Sequence, residues 1–202
     1  MKTAPRTRSR AWWVWVAITV WVASVATGFA ALGVYEFRPG AAAQPPKALS
    51  SHTELPRLLV FLHPECPCSR ATVTELGQLM AAHAKELKVQ VEFFAPRSMP
   101  KTWATGGLYQ AAKDIPGVEV RLDEDGKMGR SLGVQTSGQV LLYDVKGTLS
   151  FSGGITASRG HEGDNDGMDA IDTYLRTGRI AKPTTPVFGC SFGFSSVGAE
   201  PK

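Results

Sequence analysis

An α/β fold with three layers around a mixed central sheet, preceded by one transmembrane helix, is the class that this sequence predicts. Three observations carry it. Ala11–Gly33 is a run of 23 residues without a charge, and about 20 apolar residues suffice to cross a bilayer. Between Leu58 and Arg176, short apolar runs rich in β-formers alternate with helical patterns, as in parallel strands joined by helical crossovers. The last two runs instead meet across Asp144-Val145-Lys146-Gly147, a hairpin turn that reverses the chain.

The N-terminal helix comes first. Residues 1–10 hold Lys2, Arg6, Arg8 and Arg10 and no acid, a basic cytoplasmic tail by the positive-inside bias. Residues 11–33 exceed the ~7–15 apolar residues of a cleaved signal peptide and read as a signal anchor. Trp12, Trp13 and Trp15 crowd its basic end and Trp21 follows, which suits rings seated at the headgroup layer. The small residues Gly40-Ala41-Ala42-Ala43-Gln44 leave cleavage as the alternative. Either way, the domain beyond is expected outside the cytoplasm, in the periplasm or an equivalent space, on a single-pass membrane protein.

Charge supports this division. The chain has 22 Lys+Arg and 18 Asp+Glu. Removing the four bases of the first ten residues leaves 18 against 18. The basic balance therefore reports topology, and no nucleic-acid-binding surface is expected. Residues 34–56, with Pro45-Pro46 in a Pro-, Ala- and Ser-rich stretch, are expected to form a flexible tether. Residues 57–178 form one domain, and 179–202 a C-terminal tail carrying Cys190.

Within the domain the order is βαβαβαββα. The first strand is Leu58–Leu62, a fully apolar run, and the first helix covers about Ser69–Leu87, with Val73, Leu76, Met80, His83 and Leu87 along one stripe. The second strand is Val89–Ala95. A short helix over Ala104–Lys113 ends at Ile115-Pro116-Gly117. The third strand, Val118–Leu122, precedes the turn Asp123–Gly126 and a short helix Lys127–Leu132. The fourth and fifth strands are Val140–Tyr143 and Leu149–Ser152. The last helix, about Asp166–Arg176, is capped by Asp164 or Asn165 and stopped by Gly178.

Chemistry concentrates where the first strand meets the first helix, in His63-Pro64-Glu65-Cys66-Pro67-Cys68-Ser69-Arg70. Unpaired N–H groups and the helix dipole at such a junction favour thiolate over thiol. A thiolate attacks disulfides and binds soft metals. Two cysteines this close close almost no loop, so a structural staple is the weakest reading.

The element order and the cysteine pair after the first strand resemble the thioredoxin superfamily over roughly Leu58–Thr177. The membrane-tethered extracytoplasmic branch, with TlpA-like oxidoreductases and Sco-like copper proteins, is the nearest match. Leu132-Gly133-Val134 before the hairpin is similar to that branch. The strings His63–Cys68, Ser152-Gly153-Gly154-Ile155-Thr156 and Arg159-Gly160-His161 resemble RedB-like proteins. The resemblance implies a thioredoxin-like fold and thiol–disulfide exchange with a protein thiol or disulfide partner.

Two departures from that pattern matter. The motif is Cys-Pro-Cys, one residue shorter than the usual Cys-X-X-Cys, which sets Pro67 on the family proline and Glu65 where the nucleophile would stand. A disulfide between residues two apart closes a tight ring and is expected to be strained and oxidising. The family's cis-proline falls at Gly138, in Thr136-Ser137-Gly138-Gln139. Loss of that shield opens the cysteines to metals and gives the backbone room.

The remaining candidates follow from position. His63 is set at the mouth of the site, to stabilise a thiolate, to ligate a metal or merely to end the strand. Glu65 could raise the neighbouring thiol's pKa. Arg159 and His161 lie in the glycine-rich loop after the fifth strand, which should return toward Cys66. His161 is either the third ligand of a Sco-like copper(I) site with Cys66 and Cys68 or an exposed loop histidine. Cys190 is a resolving partner, a third soft ligand or a thiol in a loose tail. His83 is read as a core-edge residue and His52 as a solvated one. Asp123–Gly126 lacks the ligand series of a calcium loop.

The expected function is that of a membrane-anchored thiol–disulfide oxidoreductase without a cofactor, with Cys66 attacking and Cys68 resolving. The alternative is a copper(I) chaperone using Cys66, Cys68 and His161 or Cys190.

Overall fold

The computed structural model describes residues 8–49 and 52–193, in two units that divide after Arg38. The first unit is helix α1, Arg8–Glu36. Its 29 residues span about 43 Å at 1.5 Å per residue, more than the ~30 Å of a hydrocarbon core. Trp12–Glu36 is long and apolar enough to cross a membrane. Thr19, Ser24 and Thr27 turn their hydroxyls back onto the carbonyls of Trp15, Val20 and Ala23 at 2.8–2.9 Å. These three hydroxyls are thus satisfied within the helix itself.

The second unit is built on five strands: β1 Arg57–Leu62, β2 Lys88–Ala95, β3 Val118–Glu124, β4 Gln139–Tyr143 and β5 Leu149–Gly153. Their order across the sheet is β3-β2-β1-β4-β5. β1–β2 and β2–β3 are parallel, and β1–β4 and β4–β5 antiparallel. The central strands β1 and β4 are buried on both faces, which is why Leu58–Leu62 reads as unbroken hydrophobicity and not as alternation.

On one face Leu58, Val60 and Leu62 pack with Val73, Leu76, Leu79 and Met80 of α2 (Pro67–His83) and with Ala170 and Ile171 of α6 (Asp166–Thr177). His83 sits at this seam, 5% exposed. It bonds Asp172 of α6 at 2.8 Å and Glu86 at 2.9 Å, so the expected core-edge histidine is a clasp between two helices. Asn165 caps α6 by accepting from the Met168 amide, and Gly178 ends it in the left-handed conformation.

Several boundaries differ from expectation. α2 starts at Pro67, since proline fits the first helical turn, and stops at His83, so Leu87 belongs to the approach to β2. The segment expected as one helix over Ala104–Lys113 is two, α3 Lys101–Ala104 and α4 Gly107–Lys113, broken at Thr105-Gly106. Asp123 and Glu124 extend β3, and Asp123 caps the following helix, α5 Lys127–Ser131, by accepting from the Met128 and Gly129 amides.

The tether and the tail need larger corrections. Residues 39–49 do not hang free. The Gly40 amide donates to the Val187 carbonyl, Leu49 and Gly147 are bonded, and the Tyr143 hydroxyl donates to the Pro46 carbonyl. The stretch covers the sheet's second face, where Ala43 and Leu49 pack on Leu59, Phe61, Leu141 and Tyr143. Residues 183–192 also return to the sheet. Ser152 bridges Thr184 and Thr136 bridges Ser191, and Phe192 is buried in the second-face core. Composition suggested flexible chain for the tether and left the tail open, but an uncovered central sheet face offers more burial than the ordering of either segment costs.

Candidate thiol site at the β1–α2 junction

β1 is the central strand, and its end fixes the site. After Leu62 the chain turns, with the Cys66 amide donating to the His63 carbonyl at 3.1 Å. Cys66 is the N-cap of α2, in extended conformation (φ −81°, ψ 118°), and Pro67 opens the helix. Its sulfur therefore stands where a capping oxygen normally stands, facing the unpaired amides of the first turn. Cys66 is 3% exposed and Cys68, one residue into the helix, 8%.

The third cysteine joins them. The Cys190 amide donates to the Cys66 sulfur at 3.4 Å, and the Cys190 carbonyl accepts from the Ser137 amide at 2.9 Å. The strap 183–192 thus adds to the loop before β4 as a backbone-bonded neighbour and lays a thiol on Cys66.

The electrostatics divide the three sulfurs. Burial pushes the Cys66 thiol up, but hydrogen bonds from the Cys190 thiol and amide and from Ser69 outweigh it, and the net shift is downward. Cys68 is raised by burial and by the Cys66 charge, with Arg159 opposing. Cys190 is pushed up to about 12, first by burial and then by holding its proton toward Cys66. Cys66 is thus the sulfur that loses its proton most readily of the three.

Ser137 ties the frame together. Its hydroxyl accepts from the His63 amide at 2.8 Å and pairs with the Ser69 hydroxyl at 2.7 Å, and Ser69 donates to the His63 carbonyl at 3.2 Å. Gly138 beside it has φ +88°, a conformation glycine takes without cost, and its amide donates to the Phe61 carbonyl. Glycine at this position thus serves the turn into β4. Arg159 donates to the Gly189 carbonyl at 2.8 Å and holds the strap from the other side.

His63 is at the mouth, as placed from the sequence, but among aromatic rings. Phe94, Trp103 and Phe192 lie 5.9, 5.3 and 6.3 Å from its ring. Burial lowers its pKa, with Glu65 opposing. Its Nδ1 accepts from the Glu65 amide at 3.2 Å, which leaves Nε2 as the protonated nitrogen of the neutral ring. The Glu65 side chain is exposed, and Pro67 is exposed beside it.

His161 takes the second of its two expected places, that of an exposed loop histidine. It is exposed, with Nδ1 bonded to the Ser158 hydroxyl at 2.7 Å and the Arg159 carbonyl at 2.9 Å. Among the described residues no three His, Cys, Asp or Glu side chains are arranged to hold a metal ion. The set Cys66, Cys68 and His161 is not assembled, because the loop after β5 spends its contact with the site through Arg159.

Ser69, Trp103 and Phe192 escaped the sequence reading. Ser69 stands three residues after Cys66, the spacing at which a first-turn residue faces the N-cap, so a signal existed. Trp103 and Phe192 had none, since only tertiary packing brings them to His63.

The chain matches no family model and no curated protein. Among solved structures, an uncharacterized conserved protein from Geobacillus kaustophilus aligns with TM-score 0.59 at 16% identity, over 80% of this chain and 95% of that one. A hypothetical protein from Sinorhizobium meliloti aligns with TM-score 0.58 at 16% identity, over 80% and 100%. A looser likeness, TM-score 0.45 at 18% identity, covers 62% of this chain and 86% of an exposed lipoprotein thioredoxin from Streptococcus pneumoniae. The sheet order, the parallel and antiparallel halves and the position of the β1–α2 turn define a thioredoxin-like fold.

Proposed function

We propose that the protein is a membrane-anchored thiol–disulfide oxidoreductase, held by α1 with its N-terminus cytoplasmic and its domain outside, and that Cys66 is its attacking sulfur. The observation that carries this reading is the placement of Cys66 at the N-cap of α2 with the Cys190 amide donating to its sulfur at 3.4 Å, surroundings that hold its pKa below that of an ordinary thiol. Such a sulfur is what exchange needs, since thiolate attacks and thiol does not. The basic tail and apolar α1 support the anchor, and a protein disulfide or dithiol is the substrate class.

The strap leaves Cys66 almost covered, so an outside disulfide reaches it only when residues 188–192 lift. The pH dependence of reactivity is therefore a better readout than its absolute rate. In detergent-solubilised full-length protein, iodoacetamide labelling of Cys66, followed by peptide mass spectrometry, should rise with a midpoint below that of an ordinary thiol. Turnover of a disulfide peptide with dithiothreitol as electron donor should vanish in Cys66→Ser. A midpoint at or above the ordinary thiol value, together with unchanged turnover in Cys66→Ser, would overturn the reading.

A further inference from the structure

We propose that the resolving thiol is Cys190 and that the redox couple of this site is Cys66–Cys190, not the Cys66–Cys68 pair that adjacency in sequence suggests; this rests on the exchange reading above. Cys66 and Cys190 lie 124 positions apart, yet the structure brings the Cys190 amide to 3.4 Å from the Cys66 sulfur. The strap is fixed on both sides of Cys190, with its carbonyl bonded to Ser137 and the preceding carbonyl, of Gly189, bonded to Arg159. Its sulfur can therefore return to the same place after each opening.

Cys68 is less suited to the role. It lies inside the first turn of α2, whose geometry is held by the Ser69 amide donating to the Cys66 carbonyl at 3.0 Å and by the Thr72 hydroxyl on the Cys68 carbonyl at 3.4 Å. Closing a disulfide to Cys66 across Pro67 would pull against that turn and against the specific geometry that a disulfide requires. A bond from Cys66 to Cys190 joins two separate segments and pulls on neither helix.

The steps balance as follows. The Cys66 thiolate attacks one sulfur of a substrate disulfide, the substrate S–S bond breaks, and a mixed disulfide forms with release of one substrate thiolate. The charge on Cys66 is gone at that point, and with it the hydrogen bond and charge that helped hold the Cys190 proton, which leaves burial as the remaining cause. Cys190 passes its proton to solvent and attacks the Cys66 sulfur. The mixed disulfide breaks, the second substrate thiolate leaves, and Cys66–Cys190 remains. Two electrons have moved from the protein dithiol to the substrate, and both substrate thiolates take up protons from water. Run backwards, the same steps oxidise a substrate dithiol.

The test begins with the unmodified full-length protein in detergent, equilibrated in metal-free glutathione buffers, acid-quenched, alkylated and mapped by mass spectrometry. The expected result is a reversible disulfide joining the Cys66 and Cys190 peptides, with Cys68 free. Reaction with a disulfide peptide should then accumulate a mixed disulfide on Cys66 in Cys190→Ser, at least tenfold above wild type, while Cys68→Ser shows no accumulation. A wild-type disulfide mapped to Cys66–Cys68, or equal accumulation in Cys68→Ser alone, overturns the assignment but leaves exchange intact. No disulfide at Cys66 at any potential sinks both. The wild-type map needs no variant to fold, so a destabilised Cys190→Ser cannot rescue the proposal.

Discussion

The β1–α2 turn and the C-terminal strap meet at one sulfur but are held by opposite means. The turn is local. Cys66 caps its own helix, and Pro67 starts it. The strap has no regular structure and is held by residues far away in sequence, through backbone bonds to Gly40, Gln135, Ser137, Ser152 and Gly154, through Arg159, and by burial of Val187, Phe188 and Phe192. An irregular segment without a helix or strand ladder of its own opens at lower free energy than a core helix. The lowered pKa of Cys66 thus has a permanent source, Ser69 in the helix turn, and a removable one, Cys190 in the strap.

The sharpest way to break this contrast is at Gly189. A Cβ there would overlap the Ser137 carbonyl oxygen, and backbone cannot yield as a flexible side chain can. Gly189→Ala should therefore displace the strap and leave the turn intact. Overpacking of this kind costs ~1–3 kcal/mol, which corresponds to about 5- to 150-fold in the open population. Iodoacetamide labelling of Cys66 at a fixed high pH should accelerate by that factor, with far-ultraviolet circular dichroism unchanged. Unchanged labelling would mean that the strap does not gate the sulfur.

Ser137 holds both regions at once, so its loss should be felt by each. Ser137→Ala removes the acceptor of the His63 amide and the partner of Ser69. Leaving a buried donor unsatisfied costs ~1–3 kcal/mol. Chemical denaturation should show that loss at an unchanged slope. A neutral substitution would show that the turn stands without its link to the β4 loop.

How much of this was legible in the sequence follows the same divide. β1, α2 and the paired cysteines were readable because their signals are local: an unbroken apolar run, a helical stripe and a proline at a helix start. The hairpin and the caps of α6 were readable for the same reason. The packing of residues 39–49 and 183–192 was not. Pro-, Ala- and Gly-rich chain carries no periodicity, and what fixes it is a sheet face assembled from strands dispersed through the sequence. Cys190 was visible as an odd thiol with three open roles, a resolving partner of Cys66 or Cys68 among them, but which of those it meets was not. Gly138 was singled out from a family pattern, whereas its role here is a left-handed turn. His161 was singled out because its loop returns toward Cys66, and the loop does return, but with Arg159 inward.

A smaller effect separates those two explanations of Gly138. An alanine there must hold φ +88° with its Cβ 3.3 Å from the Thr72 hydroxyl. Left-handed backbone costs a non-glycine residue ~1–2 kcal/mol, so Gly138→Ala should lower the denaturation midpoint by about that amount. The midpoint pH for labelling Cys66 should not move. A large shift of that midpoint would assign Gly138 to the chemistry and not to the turn.

The smallest expected effect lies away from the site, in the clasp that seats α2. Burial pulls the His83 pKa down, but its hydrogen bonds to Asp172 and Glu86 outweigh this and raise it above 6.5. The Asp172 carboxyl is correspondingly lowered by His83. A folded-state value above the unfolded one means that the charged clasp stabilises fully below the unfolded pKa and loses its contribution as pH rises through the raised value. The melting temperature of wild type should therefore exceed that of His83→Asn by ~2–4 °C on the acidic side of that range, by the usual conversion of ~1 kcal/mol for a domain of this size. The gap should narrow as the pH climbs past the folded-state value. Because the clasp anchors the far end of α2, it should leave the Cys66 labelling midpoint unchanged. A gap that widened with pH would show that the neutral imidazole, held between two carboxylates, is the stabilising form.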